Sequence, residues 1–230
     1  MSNLILMDNY FNILQEVGRW KVIAIKDLYQ SLKEAGSYSM FTIRVNKLER
    51  EGFLKSITGS NRRKYVHLTR EGSMFSPVNI SAIDSITLNH DLLVSSILNK
   101  LLDHPVFLKG HIAHTDYEDK IDPDAIIYGR KKGIEFKMAI EAELTQKSKK
   151  RVIKKFNLYT QDDEYDYCLY VFYLGSVYRA YKGVAERLDE SVRSKIILLL
   201  DERLSKDSFS YLDAECYFNS KEMKFREIIE

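Results

Sequence analysis

Residues 121–128 read Ile-Asp-Pro-Asp-Ala-Ile-Ile-Tyr, and residues 133–143 read Gly-Ile-Glu-Phe-Lys-Met-Ala-Ile-Glu-Ala-Glu. A turn-like run, Gly-Arg-Lys-Lys-Gly at 129–133, joins them. In the second segment the charged residues all fall on odd positions, namely Glu135, Lys137, Glu141 and Glu143. Because side chains alternate between the faces of a strand, the pattern predicts a β-hairpin with one charged face. Asp124 is expected opposite the middle of the second strand.

The carboxylates of this hairpin indicate a site for a divalent cation. Asp124, Glu141 and Glu143 would lie at short range, where like charges disfavour ionisation. A cation with oxygen ligands would compensate them, and this donor set favours Mg²⁺ or Mn²⁺ over zinc. The alternative is that the acids face solvent and pair with Lys131, Lys137 and the basic helix that follows.

Composition bounds the class of protein. The 230 residues are 45% apolar and 30% charged, which is typical of an ordered chain with one large domain or two small ones. Residues 1–76 carry twelve Lys and Arg against seven Asp and Glu, which favours a polyanionic partner. Two cysteines, Cys168 and Cys216, do not suggest a zinc site or a disulfide framework. No signal peptide or membrane-spanning apolar run is visible, so we expect a cytoplasmic protein without a membrane partner.

Residues 1–76 predict three helices followed by a basic hairpin. Apolar spacing predicts helices over Asp8 to Val17, Lys26 to Ala35 and Ser39 to Glu51. Gly18 is expected to end the first helix, and Ser37 or Ser39 to cap the third. Two extended segments follow, around a turn at residues 59–61.

This order resembles the winged helix-turn-helix family, as do the phrases Leu-Glu-Arg-Glu-Gly-Phe-Leu at 48–54 and Tyr-Val-His-Leu-Thr-Arg-Glu-Gly at 65–72. The resemblance implies a third helix in the major groove of duplex DNA and a wing against the phosphate backbone. The residues that would contact DNA are Ser39, Thr42, Asn46, Lys47 and Arg50 on the helix, and Arg62, Arg63 and Lys64 on the wing. Alternatively, the basic wing only protects a strand edge, or the domain makes protein contacts alone.

Residues 77–230 predict a second domain, which makes the whole chain an α/β (α+β) protein. The predicted order is a helix over Leu88 to Leu102, three strands that include the carboxylate hairpin, a basic helix over Thr145 to Tyr159, and a strand over Tyr167 to Tyr173. This αβββαβ order is that of the PD-(D/E)xK nuclease-like fold. Pro123-Asp124 matches the first half of its signature.

Three further phrases resemble the replication-relaxation family. They are Leu-Asn-His-Asp-Leu-Leu-Val at 88–94, Asp-Pro-Asp-Ala at 122–125 and Ile-Glu-Ala-Glu at 140–143, and the helix carrying Lys154, Lys155 and Tyr159 resembles it too. The resemblance implies a winged helix joined to a nuclease-like domain that acts in plasmid replication, DNA relaxation and mobilisation. It also implies that Asp124 and Glu141 hold Mg²⁺ or Mn²⁺, which polarises a phosphate and activates water.

The sequence departs from the nuclease signature at Glu143, which replaces the expected lysine. Lys137 lies on the same strand face, and Lys147 or Lys150 on the following helix could reach the site and contact DNA. The candidate catalytic residues are therefore Asp124, Glu141, Glu143 and Lys137, and the first three are the candidate metal ligands.

Two functions from different classes follow. One is metal-dependent DNA nicking or relaxation by a protein of a mobile element. The other is a winged-helix regulator or replication accessory factor whose nuclease-like domain has lost catalysis. Duplex DNA is the expected partner in both, along with other replication or mobilisation proteins. Paired winged helices usually read two half-sites, which favours a homodimer.

Overall fold

The structure is a computed structural model that describes residues 8–32, 36–59, 62–76, 88–113, 121–202 and 210–230. Its described residues divide after Ser95 into two units. The predicted domain boundary after residue 76 adjoins residues 77–87, which lie outside the described part of the chain, so those domain limits stay a prediction. Within the described ranges, no helix is both long and apolar enough to span a bilayer.

The first unit has the element order of a winged helix. Its elements are α1 Asp8–Trp20, β1 Val22–Ala24, α2 Ile25–Ser31, α3 Tyr38–Arg50, β2 Leu54–Thr58, β3 Lys64–Leu68 and α4 Arg70–Ser73. The three strands form an antiparallel sheet in the order β1-β3-β2. The predicted helices and basic hairpin are confirmed, although residues 33–35 and 60–61, which fall in the predicted second helix and wing turn, lie outside the described residues.

Gly18 does not end α1, contrary to the prediction. The helix continues to Trp20, whose indole is buried and donates to Glu16 Oε1 at 2.8 Å. A Cβ on Gly18 would lie 2.2 Å from Ser76 Oγ, so the glycine permits close packing of the segment after α4.

Helix α3 is fixed by one cap and one apolar stripe. The side chain of Ser37 accepts a hydrogen bond from the backbone N–H of Met40, so Ser37 is the cap. Phe41, Val45 and Leu48 are buried on the inner face, as their spacing predicts. The opposite face of α3 is therefore available to a partner.

The second unit is built on a seven-stranded sheet in the order β10-β9-β8-β7-β6-β5-β4. Helix α5 (Leu88–Leu102) begins in the first unit and ends in the second. The elements that follow are β4 Phe107–Ile112, β5 Ala125–Lys131, β6 Ile134–Glu143, α6 Lys149–Gln161, β7 Tyr167–Phe172, α7 Gly175–Ala185, α8 Glu190–Arg193, β8 Ile196–Leu200, β9 Glu215–Phe218, β10 Lys221–Lys224 and α9 Phe225–Ile229. The predicted αβββαβ order is confirmed from α5 to β7. Strands β6, β7 and β8 are parallel, and the other pairings are antiparallel.

The β5–β6 hairpin turns more tightly than predicted. Lys132 and Gly133 take the positive φ angles of 49° and 84°, whereas Gly129 lies inside β5, where a Cβ would meet the Phe136 ring at 2.3 Å. The register pairs Ala125 with Ile140, which sets Asp124 beside Glu141. Asp124 is therefore near the carboxyl end of β6 and not opposite its middle as expected.

The two faces of the sheet have different surroundings. Ala139, Tyr170 and Phe172 belong to one buried cluster with side chains of α6 and α7. Met138, Ile140, Leu169 and Val171 are also buried and, by strand alternation, point to the other face. The charged odd positions of β6 therefore lie on the face that α6 and α7 cover.

Candidate functional site

Asp124 is held at the entry to β5 by two hydrogen bonds to β6. Its backbone N–H donates to Ile140 O at 3.0 Å, and its carboxylate Oδ2 accepts from Ala142 N–H at 2.7 Å. The half-buried carboxylate therefore has a fixed position next to Glu141.

Glu141 is 2% exposed, and both of its carboxylate oxygens have partners on α6. Lys155 Nζ donates to Oε2 at 2.6 Å, and the hydroxyl of Tyr159 donates to Oε1. Lys155 and Tyr159 are four residues apart, so they share one face of the helix. The helix thus supplies a lysine and a phenol to a carboxylate on the strand.

Burial raises the pKa of Glu141 to about 8, although the charge of Lys155 opposes the shift; the nearby carboxylate of Asp124 raises it further. Burial alone would lower the pKa of Lys155, but Glu141 raises it overall. At neutral pH, without another cation nearby, Glu141 is therefore largely protonated beside a charged Lys155.

This raised pKa predicts how stability depends on pH. The native state binds a proton at Glu141 between the unfolded value of 4.5 and about 8, and the unfolded state does not. The contribution is complete below pH 4.5 and is lost as pH rises through about 8, by up to about 1.4 kcal/mol per pH unit. Glu141→Gln should flatten the fall in urea-unfolding free energy between pH 5 and 9. Glu135→Gln, at an exposed position, should not; equal pH dependence of the two variants would contradict the shift.

Glu143 faces a cleft rather than Asp124. Burial raises its pKa, Lys147 is the strongest opposing charge, and the carboxylate bonds to the hydroxyl of Tyr181 on α7. The cleft has a volume of about 330 Å³ and is lined by Glu143, Lys147, Arg151, Val152, Lys155, Tyr170 and Tyr181. Lys147 therefore reaches this part of the molecule, whereas Lys150 is exposed on α6.

Lys137 has other partners. It pairs with Glu164, and its Nζ lies 4.8 Å from the ring centroid of Tyr165. Its backbone N–H donates to Asp166 Oδ2 at 2.7 Å. The lysine that reaches the carboxylates is Lys155, which sequence reasoning named only through the family resemblance. The available signal was its four-residue spacing from Tyr159 on the helix that follows the carboxylate strand.

The residue types of the site suit a hard cation, but only two carboxylates are adjacent. No group of three His, Cys, Asp or Glu side chains within the described ranges is arranged to hold a metal. The predicted ligand set of Asp124, Glu141 and Glu143 is thus not assembled, because Glu143 turns to Tyr181. Mg²⁺ commonly uses one or two carboxylates with water and substrate phosphates, so Asp124 and Glu141 fit that mode.

The outer face of α3 combines polar and apolar side chains. Ser39, Asn46 and Arg50 are exposed, and Met40 and Ile43 are 57% and 56% exposed. Two other predicted contacts are engaged within the unit. Thr42 donates its hydroxyl to Tyr38 O at 2.9 Å, and Lys47 Nζ lies 5.3 Å from the centroid of the Tyr10 ring.

The wing carries two exposed arginines and one paired lysine. Arg62 and Arg63 are exposed, and Arg62 takes a positive φ of 60°. Lys64 Nζ lies 2.7 Å from Glu49 Oε2 and 3.5 Å from Asn46 Oδ1 on α3. Lys64 therefore joins the wing to α3, and the arginines are the better candidates for phosphate contacts.

No family model and no curated protein matches the sequence. Among solved structures, the chain is similar to a mutant of MarR from E. coli complexed with operator DNA, with 20% identity, a TM-score of 0.29, and coverage of 31% of this chain and 51% of that one. PadR from Bacillus subtilis in complex with operator DNA gives 19%, 0.26, 43% and 71%. The restriction endonuclease FokI gives 12%, 0.32, 85% and 43%. The chain spans about half the length of the MarR chain, and at these TM-scores no similarity assigns a function.

Proposed function

We propose that the protein binds duplex DNA through its first unit. The observation that carries this proposal is the exposed outer face of α3, with Arg50 at its end, next to a wing that exposes Arg62 and Arg63. In winged helices such a helix enters the major groove and the wing contacts the backbone. Paired winged helices usually read two half-sites, so we expect a homodimer on DNA.

The proposal predicts a steep dependence of DNA affinity on salt. Each phosphate contact contributes about one unit to the slope of log affinity against log salt concentration. Arg62→Ala with Arg63→Ala should lower the slope by about two units, and Lys64→Ala should change it less because Glu49 already pairs with Lys64. Lys221→Ala, an exposed charge on β10, is the control. Affinity that does not vary with salt, or an unchanged slope in the arginine variant, would refute wing contact with DNA.

We further propose that Asp124, Glu141 and Lys155 form a site for metal-dependent DNA nicking. Asp124 and Glu141 would hold Mg²⁺ or Mn²⁺, and the bound cation would polarise a phosphate and activate water. Lys155 orients Glu141 through the 2.6 Å contact and carries the positive charge that the nuclease signature places on its strand lysine. By the resemblance to the replication-relaxation family, the substrate would be plasmid DNA, and the partners would be replication or mobilisation proteins.

A second function is favoured by Glu143. This residue takes the place of the signature lysine and bonds to Tyr181, and Glu141 already has partners for both oxygens. In this alternative the protein is a regulator or replication accessory factor, and the carboxylate cluster serves only to order β6 against α6. The two functions share DNA binding and differ in metal-dependent nicking.

A further inference from the structure

A stripe of cations runs along α6 toward Glu141. Lys147 precedes the N-cap Ser148, and Arg151 and Lys155 follow at intervals of four residues. Side chains at this spacing lie on one side of a helix, and all three cations line the cleft described above. The stripe is therefore one wall of a concave site.

The positive charge of this wall exceeds the negative charge that faces it. Glu143 is the only carboxylate among the described lining residues, and it also bonds to Tyr181. Lys155 pairs with Glu141 beneath the cleft, but among the described residues neither Lys147 nor Arg151 forms an ion pair. Like charges four residues apart destabilise a helix, so this wall is suited to an anion.

A buried hydroxyl in the same cleft points to the same kind of ligand. Tyr170 is 1% exposed and lines the cleft. Within the described part of the chain, its hydroxyl has no oxygen or nitrogen partner in hydrogen-bonding geometry; its polar neighbour is the Cys168 thiol, a weak acceptor. A buried donor without a good acceptor costs stability, and a phosphate oxygen would supply that acceptor.

We propose that this cleft binds a phosphate group of a DNA strand, held by Lys147, Arg151 and Tyr170. Arginine forks and lysines bind phosphate oxygens with strong charge-assisted bonds, and a volume of about 330 Å³ accommodates a phosphate but not a duplex. The inference rests on the proposed function for the identity of the strand. Its source is either a terminal phosphate or an internal phosphodiester next to Asp124 and Glu141.

The test uses the full chain, with inorganic phosphate followed by phosphorus NMR, and then a duplex with either a 5′-phosphate or a 5′-hydroxyl. Arg151→Gln should lower phosphate affinity about tenfold or more, whereas Lys154→Gln, an exposed charge elsewhere on α6, should leave it unchanged. Tyr170→Phe should also weaken phosphate binding without lowering stability, which a merely structural tyrosine would not do.

The duplexes distinguish the two sources. A terminal-phosphate site binds the phosphorylated duplex more tightly, and Arg151→Gln removes the difference. An internal site binds both alike, and Arg151→Gln lowers the salt slope by about one unit for each. Identical behaviour of Arg151→Gln and Lys154→Gln toward all three ligands would overturn the inference. Phosphate binding without duplex binding would instead defeat the proposed function and leave the phosphate site in place.

Discussion

Val171→Asp is expected to unfold the second unit. Val171 is 4% exposed in β7, where it pairs with Ala142 of β6 and Leu199 of β8. An aspartate there would bury a carboxyl group with no partner or force its protonation, at a cost of about 5 kcal/mol. Because domains are stable by only about 5–15 kcal/mol, circular dichroism should show a weakened or absent cooperative transition.

The matched control is Tyr173→Asp. Tyr173 lies two residues further along the same alternation and is 39% exposed, so a carboxylate there stays hydrated and the melting transition should barely move. If Val171→Asp melts like the unmodified protein, then β7 is not the buried central strand, and the neighbouring positions of Glu141 and Glu143 are misplaced as well.

The second large effect concerns Asp124→Asn and Glu141→Gln, which should each abolish Mn²⁺ binding in calorimetric titrations with a short duplex present. These changes keep the shape of the side chains and the hydrogen bonds to Ala142, Lys155 and Tyr159 as far as an amide allows. They remove the anionic oxygens that a hard cation requires. The loss would therefore report on the ligands and not on folding.

Glu135→Gln is the control for this titration. Glu135 lies on the same strand, but it pairs with Arg130 near the hairpin turn and its side chain is 67% exposed. Its Mn²⁺ binding should equal that of the unmodified protein. Equal loss in all three variants would mean that the ion binds the acidic surface generally, and undiminished binding in Asp124→Asn would remove Asp124 from the site.

Short-range patterns predicted most of the fold. The strict alternation of β6 and the apolar spacing of α3 each depend on residues close in sequence, so both elements were confirmed. The ending of α1 at Gly18 was wrong because Ser76, far along the chain, decides the role of that glycine. The hairpin register shifted because Lys132 and Gly133 alone make the turn.

The partners within the candidate site depend on tertiary contacts that periodicity does not encode. Lys155 meets Glu141 only because α6 packs over the sheet at one particular rotation. Lys137, which has the right alternation, instead meets Glu164 in the loop before β7. In the same way, Lys64 pairs with Glu49 across fifteen residues, which makes it a bridge between the wing and α3. Sequence identified the strand of carboxylates but not the cation that accompanies it.

Nicking of supercoiled plasmid in Mg²⁺ or Mn²⁺ is the most direct test of the account. The account predicts conversion of supercoiled plasmid to open circles with either ion, none with a chelator, and none by Asp124→Asn under conditions in which that variant still binds duplex DNA. Duplex binding by the unmodified protein without any open circles in either ion would contradict the nicking site and leave the regulator as the function.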